Sequence, residues 1–240
     1  MTFEASAESY DRFMGRYSRR LAPLLADFAG IAPEMRVLDV GCGPGSLSVQ
    51  LAARVGAQLV AAIDPSEQFA KACADRLQAA DVRRGGGEQL PWEDDSFDAV
   101  VSQLVVNFME DAPASVGEMR RVARPGAVVA ACVWDHARMG MLRTFWDAAL
   151  ALDASAPAEA AQMRFGSPED LRALWLEAGL VEVETSSLDV AERYEGFDDF
   201  WVPFTAGVGP AGAYCTSLSD EAQAALSDEC RRRHSSLSAA

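Results

Sequence analysis

The chain's sharpest chemical signal is the run Val37-Leu38-Asp39-Val40-Gly41-Cys42-Gly43-Pro44-Gly45. Apolar, strand-like residues lead into three glycines, and a helix-like stretch follows from Ser46. A bend without Cβ atoms lets backbone approach a ligand closely. The N–H groups that open the following helix then point into the crevice beyond the strand ends, where open α/β sheets usually bind. At the end of the next apolar run stands Asp64, placed to accept hydrogen bonds from both hydroxyls of an adenosine ribose. The same carboxylate would repel a 2′-phosphate. Two plainer readings compete: a tight turn that needs glycine, and a turn with a helix cap at Asp64-Pro65-Ser66.

Glycine spacing narrows the ligand. Pyrophosphate sites use G-x-G-x-x-G, whereas Gly41, Gly43 and Gly45 are spaced G-x-G-x-G, and Pro44 removes an N–H that a phosphate would use. Ser46 through Gln50 supply no Lys or Arg to balance a phosphate. A ligand with adenosine and amino-acid ends but no phosphate fits this pattern best.

These residues require a scaffold of alternating strands and helices. Met35–Val40, Gln58–Ile63, Phe97–Ser102 and Ala127–Trp134 read as strands, with a weaker one at Asp81–Arg84. Their near-continuous apolar runs suit strands covered on both faces. Ser46–Val55, Ser66–Ala80 and Ala114–Ala123 read as the crossover helices. Ahead of them, Leu21, Leu24, Leu25 and Phe28 mark a helix over Ser18–Ala29. Beyond Trp134 the rhythm changes. Ala148–Ala161 reads as a helix interrupted at Pro157, and Ser167-Pro168-Glu169-Asp170 as the capped start of another that ends at Gly179. Val181–Ser186 and Leu188–Tyr194 read as a hairpin, 206–213 as a Gly/Pro/Ala linker, and Asp220–Arg233 as an amphipathic helix.

With 240 residues, half of them hydrophobic, the chain holds enough material for a sizeable core. Its 36 acidic residues against 21 Lys and Arg leave a net charge of −15, which argues against nucleic acid or an anionic membrane surface as a partner. No apolar run reaches the roughly 18 residues that span a bilayer, and Met1–Tyr10 lacks a signal-peptide pattern, so a cytoplasmic protein is expected. Five cysteines without a CxxC pair read as free thiols rather than disulfides or a zinc site.

The sequence resembles the class I S-adenosylmethionine-dependent methyltransferases, especially the small-molecule branch that includes ubiquinone and menaquinone biosynthesis methyltransferases. Four stretches in family order carry the likeness: VLDVGCGPG at 37–45, AAIDPS at 61–66, GGGEQLPWEDDSFDAVVSQ at 85–103 and RPGAVVAACVW at 124–134. The resemblance implies an α/β fold, a Rossmann-like and mostly parallel seven-stranded sheet with helices on both faces and a C-terminal antiparallel hairpin. It implies S-adenosyl-L-methionine as cofactor and S-adenosyl-L-homocysteine as product. Gly41, Gly43 and Gly45 would cradle the methionine portion, with Asp39 beneath them helping to hold its amino group. Asp64 would take the ribose, Pro65 and Ser66 would border the adenine, Glu88 and Gln89 would approach its edge, and Gln103 would face the methionine amine. The segment Tyr10–Ser18 resembles the family's lid, with Tyr17 as its candidate ligand contact, set against an aromatic that packs a helix on the sheet, while Arg16 reads as a surface arginine ahead of a partner for the carboxylate. Trp92 is weighed between ligand contact and core.

Displacement at a sulfonium methyl needs chiefly position and a dry site, and a base only where the acceptor must lose a proton. His136, just past Val133-Trp134-Asp135, is the candidate base, set against a polar loop residue; His234, among arginines, reads as surface. The expected organisation is one domain over 1–240: a lid at 1–30, a cofactor core at 31–135, and an acceptor-side cap and tail at 136–166 and 196–240. Phe145, Trp146, Phe165, Phe200, Trp201 and Phe204 read as core or as walls for a small-molecule acceptor. An NAD-linked oxidoreductase and a non-catalytic binding module remain as alternatives, and the oligomeric state is open.

Overall fold

A computed structural model describes residues 7–136, 138–157 and 163–237, the last four without their side chains. Its described residues fall into two compact units. One runs to Val133 and takes in Phe165–Ala191; the other comprises Trp134–Arg164 and the chain from Glu192 onward.

In the first unit five parallel strands, β1 (Val37–Val40), β2 (Val60–Asp64), β3 (Asp81–Arg84), β4 (Phe97–Gln103) and β5 (Ala123–Cys132), lie in the order β3-β2-β1-β4-β5. Helices α1 (Ala7–Phe13), α2 (Gly15–Phe28), α3 (Ser46–Val55), α4 (Glu67–Arg76), α5 (Ala112–Val122) and α7 (Pro168–Glu177) belong to the same unit. The period-two alternation of strand side chains divides the apolar residues between two layers. Leu38, Val40, Ile63 and Val100 pack with Val116, Met119 and Val122 of α5 and Leu174 and Trp175 of α7. Val37, Val60, Ala99 and Val101 pack with Ala22, Leu25 and Ala26 of α2 and Leu47, Leu51 and Val55 of α3. Each fully buried Leu or Val stabilises the fold by roughly 1.5–3 kcal/mol relative to exposure. Because β1 is buried at all four positions, Asp39 has no solvent face to occupy.

Helix ends follow local chemistry. Ser66 Oγ accepts the Phe69 N–H to start α4, Asp111 Oδ1 accepts that of Ala114 to start α5, and Ser167 Oγ accepts that of Asp170 to start α7. Past α7, Gly179 adopts φ +79° and its N–H reaches Leu176 O at 2.9 Å, the expected stop.

The expected sixth and seventh strands, the hairpin, are absent among the described residues: the sheet has five strands, and 181–194 carry no ladder. Two features explain this. Glu182 sits at φ +53°, which breaks an extended run, and Val181 is 80% exposed, so the alternation there has no packed face to serve. Val183 and Leu188 still pack against the two sheet layers as single anchors. At β5 the strand starts at Ala123, four residues early, because Phe97 pairs with Ala123 before the register shifts to Ala99 against Val128. That shift leaves Arg124-Pro125-Gly126 projecting and exposed.

The second unit is helical: α6 (Gly140–Leu152), α8 (Phe197–Trp201), α9 (Gly209–Ser217) and α10 (Asp220–Leu237). Of the helix expected at Ala148–Ala161, Ala148–Leu152 fall in α6, which starts earlier in the chain and is driven by Met141, Leu142, Phe145, Trp146, Ala148 and Ala149 on a buried face. Positions 158–161 of that expectation fall outside the described residues, as do 1–6 and the side chain of His234. The linker expected at 206–213 is a 3₁₀ turn at Val202–Ala206 followed by α9. A Cβ on Gly212 would stand 2.7 Å from the Gly207 carbonyl carbon, so this composition serves close backbone packing rather than a loose connection. Phe145 stacks on Phe204 with centroids 4.4 Å apart, and Phe200 lies 5.3 Å from Phe204; all three are fully buried. These rings are the core of the second unit. Phe165 instead packs at the margin of the first unit's core. No described helix is long and apolar enough to cross a membrane.

Candidate cofactor site

The chain reverses direction across the sheet between β1 and β4, and a crevice opens at the carboxyl ends of strands at such a point. The register sets what faces it: Val40 pairs with Ile63 and Asp39 with Val101, which puts Gly41, Asp64 and Gln103 beyond the last paired residues of β1. The loop that leaves β1 is tied to β2, since the N–H groups of Gly41 and Cys42 both donate to Ile63 O, at 2.8 and 3.0 Å.

Two glycines of the loop have different physical reasons. At Gly41 a Cβ would stand 2.5 Å from Val105 Cγ1, so the position admits no side chain. At Gly43 a Cβ would meet nothing within 4 Å, while φ is +53°. Here the backbone conformation calls for glycine, and open space lies in front of it. Gly45 directly precedes α3, and Cys73 of α4 packs against it.

Asp64 closes the loop from the neighbouring strand. Its Oδ2 accepts the Gly43 N–H at 2.9 Å and its Oδ1 accepts the Ser66 N–H at 2.9 Å. Burial raises its pKa, an effect that the two amide donors only partly offset. Each oxygen keeps a lone pair after these bonds, which suits a carboxylate that receives hydroxyls. Asp39, wholly buried on β1, accepts the Ser48 hydroxyl at 2.6 Å through Oδ2, while Oδ1 has no hydrogen-bond partner. Loss of hydration, with a smaller push from the Asp64 charge, raises its pKa from 3.8 to about 7.

Gln103 at the end of β4 donates through Nε2 to Ser18 O at 3.1 Å, and its buried Oε1 has no hydrogen-bond partner. Tyr17, next to Ser18 on α2, is buried. The expected adenine-side residues are less engaged. Pro65 is exposed, and Ser66 spends its hydroxyl on the α4 cap. Glu88 Oε1 faces the Asp111 N–H at 3.5 Å, and Gln89 is exposed. The turn that carries them is joined to the site by its first residue, Gly85, whose N–H donates to Asp64 O at 3.0 Å. Trp92 is core: its indole N–H donates to Asp81 Oδ2 at 2.9 Å and its ring meets Phe97 edge-on at 5.6 Å.

His136 belongs to the second unit, where it is buried with Nδ1 3.1 Å from Trp134 O. Tyr10 was not singled out from the sequence, although it stands in the lid-like segment. Its phenol is pushed up to about 12, chiefly by burial, with added repulsion from Asp64, Asp11 and Asp39. Its ring lies 5.4 Å from that of Phe69 on α4.

The profile of a methyltransferase domain family matches residues 38–131, which include the glycine loop, Asp64 and Gln103. Those residues carry the pattern of a methyltransferase domain. Among curated proteins, this domain is similar to malonyl-[acyl-carrier protein] O-methyltransferase of Erwinia pyrifoliae, 36% identical over 128 residues, 53% of this chain and 47% of that protein. It is also similar to demethylmenaquinone methyltransferase of Renibacterium salmoninarum, 33% identical over 129 residues, 54% of each. The chain spans about half the length of the curated relatives it matches. Among solved structures, the YcgJ protein of Bacillus subtilis superposes with a TM-score of 0.58 at 18% identity, over 85% of this chain and 87% of that one. A SAM-dependent methyltransferase from Aquifex aeolicus gives a TM-score of 0.52 at 22% identity, over 66% and 78%. These two likenesses concern the fold alone.

Proposed function

We propose that the chain is an S-adenosylmethionine-dependent methyltransferase acting on a small-molecule acceptor. The observation that carries this reading is a pair of buried acceptors without partners, Asp39 Oδ1 and Gln103 Oε1, on neighbouring strands beside an open Gly43. Buried polar atoms left unsatisfied cost about 1–3 kcal/mol each, and an ammonium group from a ligand would repay that cost. Asp64 keeps lone pairs for ribose hydroxyls, and Pro44 and the lack of a basic residue in 46–50 disfavour a phosphate. The fit is to a phosphate-free adenosyl amino acid.

When bound, S-adenosylmethionine supplies a methyl group on a sulfonium that leaves as a neutral thioether. The chain's own residues would hold and orient. Asp39 and Gln103 would fix the amino-acid end, Asp64 the sugar, and Tyr17 would help to cover the site; Pro65, Ser66, Glu88 and Gln89 would border the adenine. For acceptors that must lose a proton, His136 is the proposed base, a buried imidazole with Nδ1 3.1 Å from Trp134 O. The relatives are named for different acceptors, malonyl-[acyl-carrier protein] and demethylmenaquinone, so the acceptor is proposed only as a small molecule, with the segments 136–166 and 196–240 as the acceptor-side cap and tail.

Incubation with methyl-labelled S-adenosylmethionine and a panel of phenols, quinols, amines and carboxylates tests this reading. Label should pass to at least one class, with no transfer by Asp64→Ala. Cofactor binding with no transfer to any class would instead favour a non-catalytic module.

A further inference from the structure

Arg76 closes α4 and reaches two partners at once. Its Nη1 donates to Pro44 O in the glycine loop at 2.7 Å, and its Nη2 meets Asp11 Oδ2 of α1 at 2.5 Å. A second contact holds the same two helices together: the Tyr10 ring lies 5.4 Å from that of Phe69 on α4. Together these contacts fix α1 against α4 beside the glycine loop that borders the crevice. Gly15 makes room for this arrangement, since a Cβ there would stand 2.9 Å from Asp11 Oδ1 and 3.1 Å from Arg19 Nη1.

We propose that Arg76 is a positioning residue that latches α1 beside the cofactor crevice through Asp11 while holding the glycine loop through Pro44, and so sets how fast the cofactor enters and leaves. The inference deepens the proposed function and rests on its cofactor reading. Physically, the guanidinium presents its donors in a planar fork, so one group serves a carbonyl and a carboxylate in fixed directions. Both side chains are partly exposed, so the ion pair is salt-sensitive and individually modest. A weak pair suits a latch that must open on every turnover.

The division of labour separates the variants. Asp11→Asn breaks the latch and leaves the Arg76 bond to Pro44; Arg76→Gln removes both. Gly15→Ala disturbs Asp11 sterically without altering a charge, at a helical position where Ala is otherwise preferred. The experiment measures stopped-flow release of S-adenosylhomocysteine together with amide hydrogen exchange of Ala7–Phe13, in the full chain. Release from Asp11→Asn and Gly15→Ala should quicken about two- to fivefold, the range an exposed ion pair supports. Entry should quicken in step, leaving Kd nearly constant, and exchange of α1 should rise even without ligand. Arg76→Gln should also raise Kd. Salt should accelerate release from the wild type but not from Asp11→Asn. Normal ligand binding with unaltered release and α1 exchange in Asp11→Asn overturns the latch alone. A wild-type chain that binds no S-adenosylhomocysteine overturns the cofactor reading, and with it the control of release.

Discussion

The two units bury side chains of opposite character, and the contrast shows where this molecule keeps its chemistry. In the helical unit, Phe145, Phe200 and Phe204 fill space with rings that ask for nothing but contact. In the sheet unit, the ends of β1 and β4 bury a carboxylate and an amide, each with an oxygen that has no partner. An apolar core repays its burial immediately, whereas a buried acceptor without a donor is repaid only by something that arrives. Rings in the first case fill a core, and polar atoms in the second leave acceptors for the proposed ligand.

The largest expected effect lies on the apolar side. Phe145→Ala should cost about 3–5 kcal/mol of stability, read from denaturant unfolding, yet alter S-adenosylhomocysteine affinity less than any change at the strand ends. If affinity fell as steeply as stability, the contrast would fail. On the polar side, Asp64→Ala removes the acceptor of two backbone donors and of the proposed ribose hydroxyls. Hydrogen bonds to a charged group are worth about 1.5–3 kcal/mol each, so affinity should weaken on the order of 100-fold in calorimetry. Gly43→Val should act similarly, because a β-branched residue cannot adopt φ +53° cheaply. Wild-type binding by both variants would contradict the site.

A subtler effect follows from Asp39. Its folded pKa is raised from 3.8 to about 7, so the folded chain binds more protons than the unfolded one between those values. The stability this group contributes is therefore complete below the unfolded pKa and is lost as pH rises through about 7. Asp39→Asn should raise Tm more at pH 8 than at pH 5. A cationic ligand end favours the ionised form, so binding near pH 6 should release a proton, detectable in buffers of different ionisation enthalpy. An equal Tm change at both pH values would show that Asp39 stays ionised in the fold. The smallest effect is at Trp92: Trp92→Phe loses the bond to Asp81, about 1 kcal/mol of stability, and should leave ligand affinity unchanged.

Much of the sheet unit was legible because its signals are local. Asp81–Arg84 and Ser46–Val55 stand where their residue patterns put them, and the caps at Ser66 and Ser167 act within three residues of themselves. The loop, Asp64 and Gln103 converge because strand order follows from alternating β and α segments. What escaped was decided over longer range. The alternation at 181–194 describes a strand's side chains but not its partner, and no ladder forms there. The Gly-rich stretch 209–217 is a helix because Gly212 packs on the Gly207 backbone, which composition does not reveal. Arg76 meets Asp11 across 65 positions, and nothing near either residue announces the pairing.

The central claim is that the crevice at Gly43, Asp64 and Gln103 takes a phosphate-free adenosyl amino acid. Calorimetric titration of the wild-type chain with S-adenosylhomocysteine, beside an equal titration with NAD, tests it most directly. The account predicts saturable one-to-one binding of the first and no heat with the second; silence with S-adenosylhomocysteine, or saturation by NAD, would contradict it.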